Sequence, residues 1–338
     1  MFHDISDPDT LEIGDCLVER GQTKYFDLVV GRLYDFTELS IPVCVVRSPT
    51  PGPVVFLSGA VHGDEIIGPE IIKRLLNKKI KLKRGSLICI PIVNVFGFNN
   101  KSRYLPDRRD LNRCFPGTEN GSLSSRLANI FLHQIVSKCH FGIDLHSAAV
   151  HRSNLPQIRA CLDNNLTEKL ASVFGAPVII NSKIRDGSIR EAAEKQRVSV
   201  LVFEGGEALR HDESVIKHAI KGILRCLGHL NMTEMTKIEK SAKPAFIAKS
   251  SYWIRAGQSG VVRYHKPLGS YVEAGKKIGT ISDVFANHTS NIIVKKEGVI
   301  IGENRLPLVN QGDALFHIAT FEEEDLDQMP DDLPDYVD

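Results

Sequence analysis

From about residue 54 to residue 230 one pattern recurs: a short apolar run, a polar turn, then a longer stretch with apolar positions three and four apart. Apolar runs at 54–58, 85–93, 141–145, 178–180 and 198–203 predict buried strands. Helical spacing at 66–76, 124–136, 166–173, 187–196 and 214–230 predicts the helices between them. This alternation predicts an α/β fold, a mostly parallel or mixed sheet with helices on both faces. Two further strands are expected at 26–34 and 39–46, joined by the turn Asp35-Phe36-Thr37-Glu38. The helical pattern decays over 231–245, and short β-like runs punctuated by glycine follow. The expected organisation is a catalytic domain over 1–240, with a β segment at 1–50, then a small all-β, barrel-like module over 245–322. No tandem repeat is visible.

Composition adds little until it is read by segment. The 338 residues suit two domains, and the formal charge is +1. Residues 322–338 hold nine acidic residues and no basic ones, so the rest of the chain carries +10. The segment 323–338 is therefore expected to be a solvated, disordered acidic tail. No basic patch with interleaved aromatics points to nucleic acid. No run approaches the roughly 20 apolar residues of a membrane span, and the amino terminus shows no signal-peptide pattern. Seven scattered cysteines, odd in number and without a CxxC pair, fit reduced thiols and a cytoplasmic location.

The chemistry concentrates at predicted strand ends. The 54–58 strand runs into Gly59-Ala60-Val61-His62-Gly63-Asp64-Glu65, placing His62 and Glu65 where an open α/β sheet binds ligands. A histidine and a carboxylate three positions apart start a catalytic zinc site, which needs a third ligand. His146 ends another apolar strand and is the candidate, with Asp144 two positions earlier on the same side to orient an imidazole. Gly63 would permit the tight turn, and Asp64 would orient His62 or the loop. Glu204 directly follows four apolar strand residues, a costly position unless it faces a polar site. It is the candidate general base, with Glu207 as runner-up. Residues 99–117 form a polar loop with four arginines, the side chain that clamps carboxylates and polarises carbonyls.

The motifs GAxHGDE, DLNRxFPG, DLHS and FExG, in this order, resemble the succinylglutamate desuccinylase/aspartoacylase family of the zinc carboxypeptidase clan. The resemblance implies a zinc carboxypeptidase-like fold and one Zn2+ per chain, held by His62, Glu65 and His146. It implies Glu204 as general base and Asn112 with Arg113 as the pair that binds the substrate carboxylate. Arg103 is the best match for the carbonyl-polarising arginine, with Arg108 and Arg109 as competitors. Arg190 resembles a second carboxylate-binding arginine.

The run from Gly269 to Ile281 resembles a biotinyl/lipoyl-type half barrel. The expected hairpin tip, 284–288, carries no lysine, so a wall of the pocket or an oligomer contact is expected rather than a carrier. Trp253 and Arg255 are placed to reach the pocket. The leading expectation is a zinc-dependent amidohydrolase acting on a small-molecule N-acyl amino acid or related amine. A metallocarboxypeptidase for short peptides and a non-catalytic binding protein that keeps the fold are the alternatives. A homo-oligomer is compatible with all three.

Overall fold

The computed structural model describes residues 7–234, 245–322 and 333. At its centre Ser199–Glu207, Phe141–Ala148, Val54–Gly59 and Ser86–Ile90 lie side by side and parallel. Every residue of Val54–Gly59, Ser86–Ile90 and Phe141–Ala148 is buried, as strands covered on both faces must be. Along the first of these, Val54 and Phe56 enter one core while Val55 and Leu57 enter the other. The helix Leu123–Gln134 packs Leu127 and Phe131 into the first core. Ile67–Asn77 and Glu213–His229 pack Ile71, Ile72, Ile216 and Ile223 into the second. The expected α/β fold with helices on both faces is thus present, and the Thr23–Arg32/Glu38–Arg47 hairpin extends one edge of the sheet.

The other edge runs into the carboxy-terminal region. Arg152–Ala160 lies antiparallel to Ser199–Glu207 and pairs on its far side with Gly298–Asn304. Ala314–Thr320 and Ser250–Arg255 follow in the same sheet. Only Thr289–Ile293, Lys277–Ser282, Gly260–Tyr264 and Leu308–Val309 form a separate antiparallel sheet. Its Ile278, Ile281 and Ile292 pack on Phe316 and Ile300 of the main sheet. Residues 235–244, where the boundary was expected, lie outside the described residues.

Two elements escape the hydrophobic pattern. Thr10–Ile13 and Cys16–Glu19 form a small hairpin. Arg152–Ala160 is interrupted by Pro156, which argues against a central strand. The structure accommodates it with a register shift. Between the pairs Glu204–Gln157 and Gly206–Asn154, Leu155 and Pro156 face the single residue Gly205. Most of the acidic tail lies outside the described residues. Its Leu333 is fully buried with Leu155, Val178 and Ile180, and its N–H donates to the Gly269 carbonyl. Among the described residues no helix is long and apolar enough to cross a membrane.

Candidate active site

His62 and Glu65 occupy the turn after Val54–Gly59, and His146 lies near the end of the neighbouring strand. The turn is pinned by bonds from Val93 N to Gly59 O and from Asn94 N to Ala60 O. These hold Ala60 at φ +49°, a conformation a non-glycine residue adopts at some cost. Gly63 serves close approach rather than the turn itself: a Cβ there would lie 1.9 Å from the Gly97 carbonyl carbon. Asp64 does not take the expected role. Its Oδ1 is buried without a hydrogen bond, and its main-chain oxygen accepts from Leu209.

One ligand atom from each of His62, Glu65 and His146 falls within a span of 4.8 Å. Glu65 bridges the pair, with Oε1 2.7 Å from His62 Nδ1 and Oε2 2.7 Å from His146 Nδ1. The opposite ring nitrogens are also held. His146 Nε2 is 2.7 Å from Asp144 Oδ2, and Ser58 Oγ donates to Asp144 Oδ1 at 2.7 Å. His62 Nε2 is 3.0 Å from Asp110 Oδ1. Carboxylates therefore face the outer nitrogens of both imidazoles while both Nδ1 atoms converge with Glu65. This is the arrangement that fixes tautomers for a metal. Burial opposes charge on both rings, but Glu65, with Asp144 beside His146 and Asp110 beside His62, outweighs it and raises both histidines above their usual range. Burial opposes charge on Glu65 too, yet the two rings hold its carboxyl well below the usual range.

Asp110 went unnoticed in the sequence beyond its place in the DLNR motif. It accepts from Asn112 N at 2.9 Å and from Arg103 Nη2 at 3.0 Å, so it joins the histidine turn to the arginine loop. Arg103 also donates to Glu65 Oε1 at 3.2 Å. Arg103, Asn112, Arg113 and Arg190 line one cavity of about 440 Å³ with His62, Glu65, His146 and Glu204, whereas Arg108 and Arg109 do not line it. The Asn112 side-chain oxygen accepts from Ile189 N at 2.9 Å, leaving its amide N–H groups as donors. Arg190 donates to the carbonyls of Ser182 and Lys183.

Glu204 pairs in register with His146 on the adjacent parallel strand. The unforeseen strand supplies its partners. Asn154 Nδ2 donates to Glu204 Oε2 at 2.7 Å, and Arg159 Nε lies 2.9 Å from Oε1 as an ion pair, although its N–H does not aim at that oxygen. Glu207 instead accepts from His151 N and does not line the cavity. From the carboxy-terminal strands come Ser251, Trp253 and His317, while Arg255 points to the Gly312 carbonyl. Trp253 stacks on His317 at 4.6 Å, and the Arg152 guanidinium sits 5.4 Å from the Trp253 ring centre.

Parallel strand ends that gather two histidines and a glutamate above an arginine-lined cavity have the layout of a hydrolase for small anionic amides. The chain belongs to the succinylglutamate desuccinylase/aspartoacylase family, whose catalytic-domain model matches residues 51–230. It is similar to the N-alpha-acetyl-L-2,4-diaminobutyric acid deacetylase of Halomonas elongata, 26% identical over 294 residues, 82% of this chain and 85% of that protein. The fold is shared with a succinylglutamate desuccinylase/aspartoacylase from Rhodobacter sphaeroides, with TM-score 0.76 and 24% identity over 89% of this chain and 96% of that one. It is shared also with the product-bound ectoine utilization protein of Ruegeria pomeroyi, with TM-score 0.77 and 21% identity over 88% of this chain and 94% of that one.

Proposed function

We propose that this chain is a zinc-dependent amidohydrolase that removes an acyl group from an N-acyl amino acid. The observation that carries the reading is the convergence of His62 Nδ1, Glu65 and His146 Nδ1, with Asp110 and Asp144 behind the two rings. Nitrogen and carboxylate donors in a set of three suit zinc with one position left open. When bound there, zinc supplies a Lewis acid that polarises the amide carbonyl and lowers the pKa of water.

The remaining work falls to the protein. Asn112 and Arg113 grip the substrate carboxylate, a geometry suited to charge-assisted hydrogen bonds. Arg103, held in place by Glu65 and Asp110, directs its guanidinium to the carbonyl oxygen as negative charge develops. Glu204 takes a proton from the attacking water and returns it to the leaving amine. Asn154 and Arg159 hold that carboxylate ionised and oriented between the two transfers. Trp253 and His317 close one side of the cavity, which favours a small molecule over an extended chain. The seven free cysteines suit a reducing, cytoplasmic setting.

The test is release of free amino acid from a panel of N-acyl amino acids by zinc-loaded protein. Turnover of tripeptides in place of acyl amino acids would assign a carboxypeptidase. Absence of both activities at full zinc occupancy would leave a binding protein.

A further inference from the structure

The cavity holds more positive charge than one substrate carboxylate requires. Six arginines line it: 103, 113, 152, 159, 185 and 190. Arg103 is engaged by Glu65 and Asp110, and Arg159 by Glu204. Arg113, Arg152, Arg185 and Arg190 have no carboxylate partner among the described residues. Arg113 and Arg190 contact main-chain carbonyls, and Arg152 lies against Trp253. Burial and neighbouring Arg159 hold the Arg190 guanidinium below its usual range, as expected where like charges gather without counter-charge.

The acidic side of the balance is closed. The carboxylates lining the cavity are Glu65 and Glu204. Glu65 is occupied by two imidazoles and Arg103, and Glu204 by Arg159 and Asn154. A substrate ammonium group entering this space would find guanidinium groups and no free carboxylate.

We infer that Arg152 and Arg185 form a second anion subsite, and that the substrate is an N-acyl amino acid carrying a second carboxylate. This deepens the deacylase reading and rests on it for the location of the first carboxylate. It separates this chain from its Halomonas relative, whose named substrate carries an amine on its side chain. His317 works in the same direction: buried beside Arg159, it is pushed down to about 3 and adds no charge of its own near neutral pH.

The test is a charge series of near-equal size, measured by calorimetry on zinc-loaded protein so that binding is read whether or not turnover occurs. N-acetylglutamate, N-acetylglutamine and Nα-acetyl-2,4-diaminobutyrate differ mainly in the charge of the side-chain end. N-succinylglutamine moves the second carboxylate to the acyl side. One of the two dicarboxylates is expected to bind roughly 10- to 100-fold tighter than N-acetylglutamine, the size of a charge-assisted pair, and whichever gains locates the anion. The diaminobutyrate is expected to bind weakest. In an Arg152→Gln/Arg185→Gln double variant, both positions being exposed, the gap between dicarboxylate and N-acetylglutamine is expected to close. Equal binding across the series, or tightest binding of the diaminobutyrate, overturns the inference. A gap unchanged in the double variant overturns the assignment to these arginines. Failure of the deacylase reading shows separately, as tight dicarboxylate binding without release of amino acid.

Discussion

Replacing Asp144 by asparagine tests the logic of the metal centre at its most buried point. Asp144 is fully buried, with Oδ2 2.7 Å from His146 Nε2 and Oδ1 accepting from Ser58 Oγ at 2.7 Å. Asparagine keeps the volume and can still accept from the imidazole N–H, and Ser58 can rotate to accept from its NH2 group. What is lost is the negative charge that raises the basicity of His146 and fixes its ring. Outer partners of this kind contribute about 10- to 100-fold in metal affinity, or roughly 1.4–2.8 kcal/mol. Zinc affinity, measured by competition with a chromophoric chelator, is expected to fall by that factor while the far-ultraviolet circular dichroism of the metal-free variant stays unchanged. A folded Asp144→Asn protein that binds zinc within about twofold of the parent would falsify the claim that His146 coordinates through Nδ1 with Asp144 behind it.

The other predictions concern the base, the turn and the wall. Glu204→Gln is expected to retain zinc and lose about 10²- to 10⁴-fold in kcat; turnover like the parent's would remove Glu204 from proton transfer. Gly63→Ala drives a Cβ into the Gly97–Phe98 backbone, so we expect about 3 kcal/mol or more of destabilisation together with reduced zinc content. Unchanged thermal unfolding would show that the contact is not tight. His317 is pushed down to about 3 by burial and by Arg159. The unfolded chain, with a histidine pKa of about 6.5, therefore binds the extra proton first. The stability that the neutral ring contributes is complete above about pH 6.5 and is lost as pH falls toward 3, by at most a few kcal/mol. His317→Gln should flatten that slope in unfolding measured between pH 7 and 4, and an unchanged slope would count against a depressed His317.

The amino-acid sequence by itself determined the parts of this protein whose physics is local. Strands covered on both faces need unbroken apolar runs, so Val54–Gly59, Phe141–Ala148 and most of Ser199–Glu207 could be read directly. His62 and Glu65 share one short turn, and Asp144 and His146 one side of one strand, so their proximity within each pair follows from spacing alone. The meeting of the two pairs required the parallel pairing of neighbouring strands, which the helix–strand alternation implied. Tertiary structure alone decided the rest. Arg152–Ala160 reads poorly as a strand because Pro156 interrupts it, yet a register shift admits it, and it delivers Arg152, Asn154 and Arg159 to the cavity. Asp110 looks like any loop carboxylate until the fold brings it to His62 Nε2. Gly63 looks like a turn residue until the Gly97 backbone approaches it. Trp253 and His317 reach the site because Gly298–Asn304 pairs with Arg152–Ala160 and carries the main sheet into the carboxy-terminal region. Each of these contacts joins segments distant in the chain, and a distance in space set by packing leaves no period or spacing in the sequence to read.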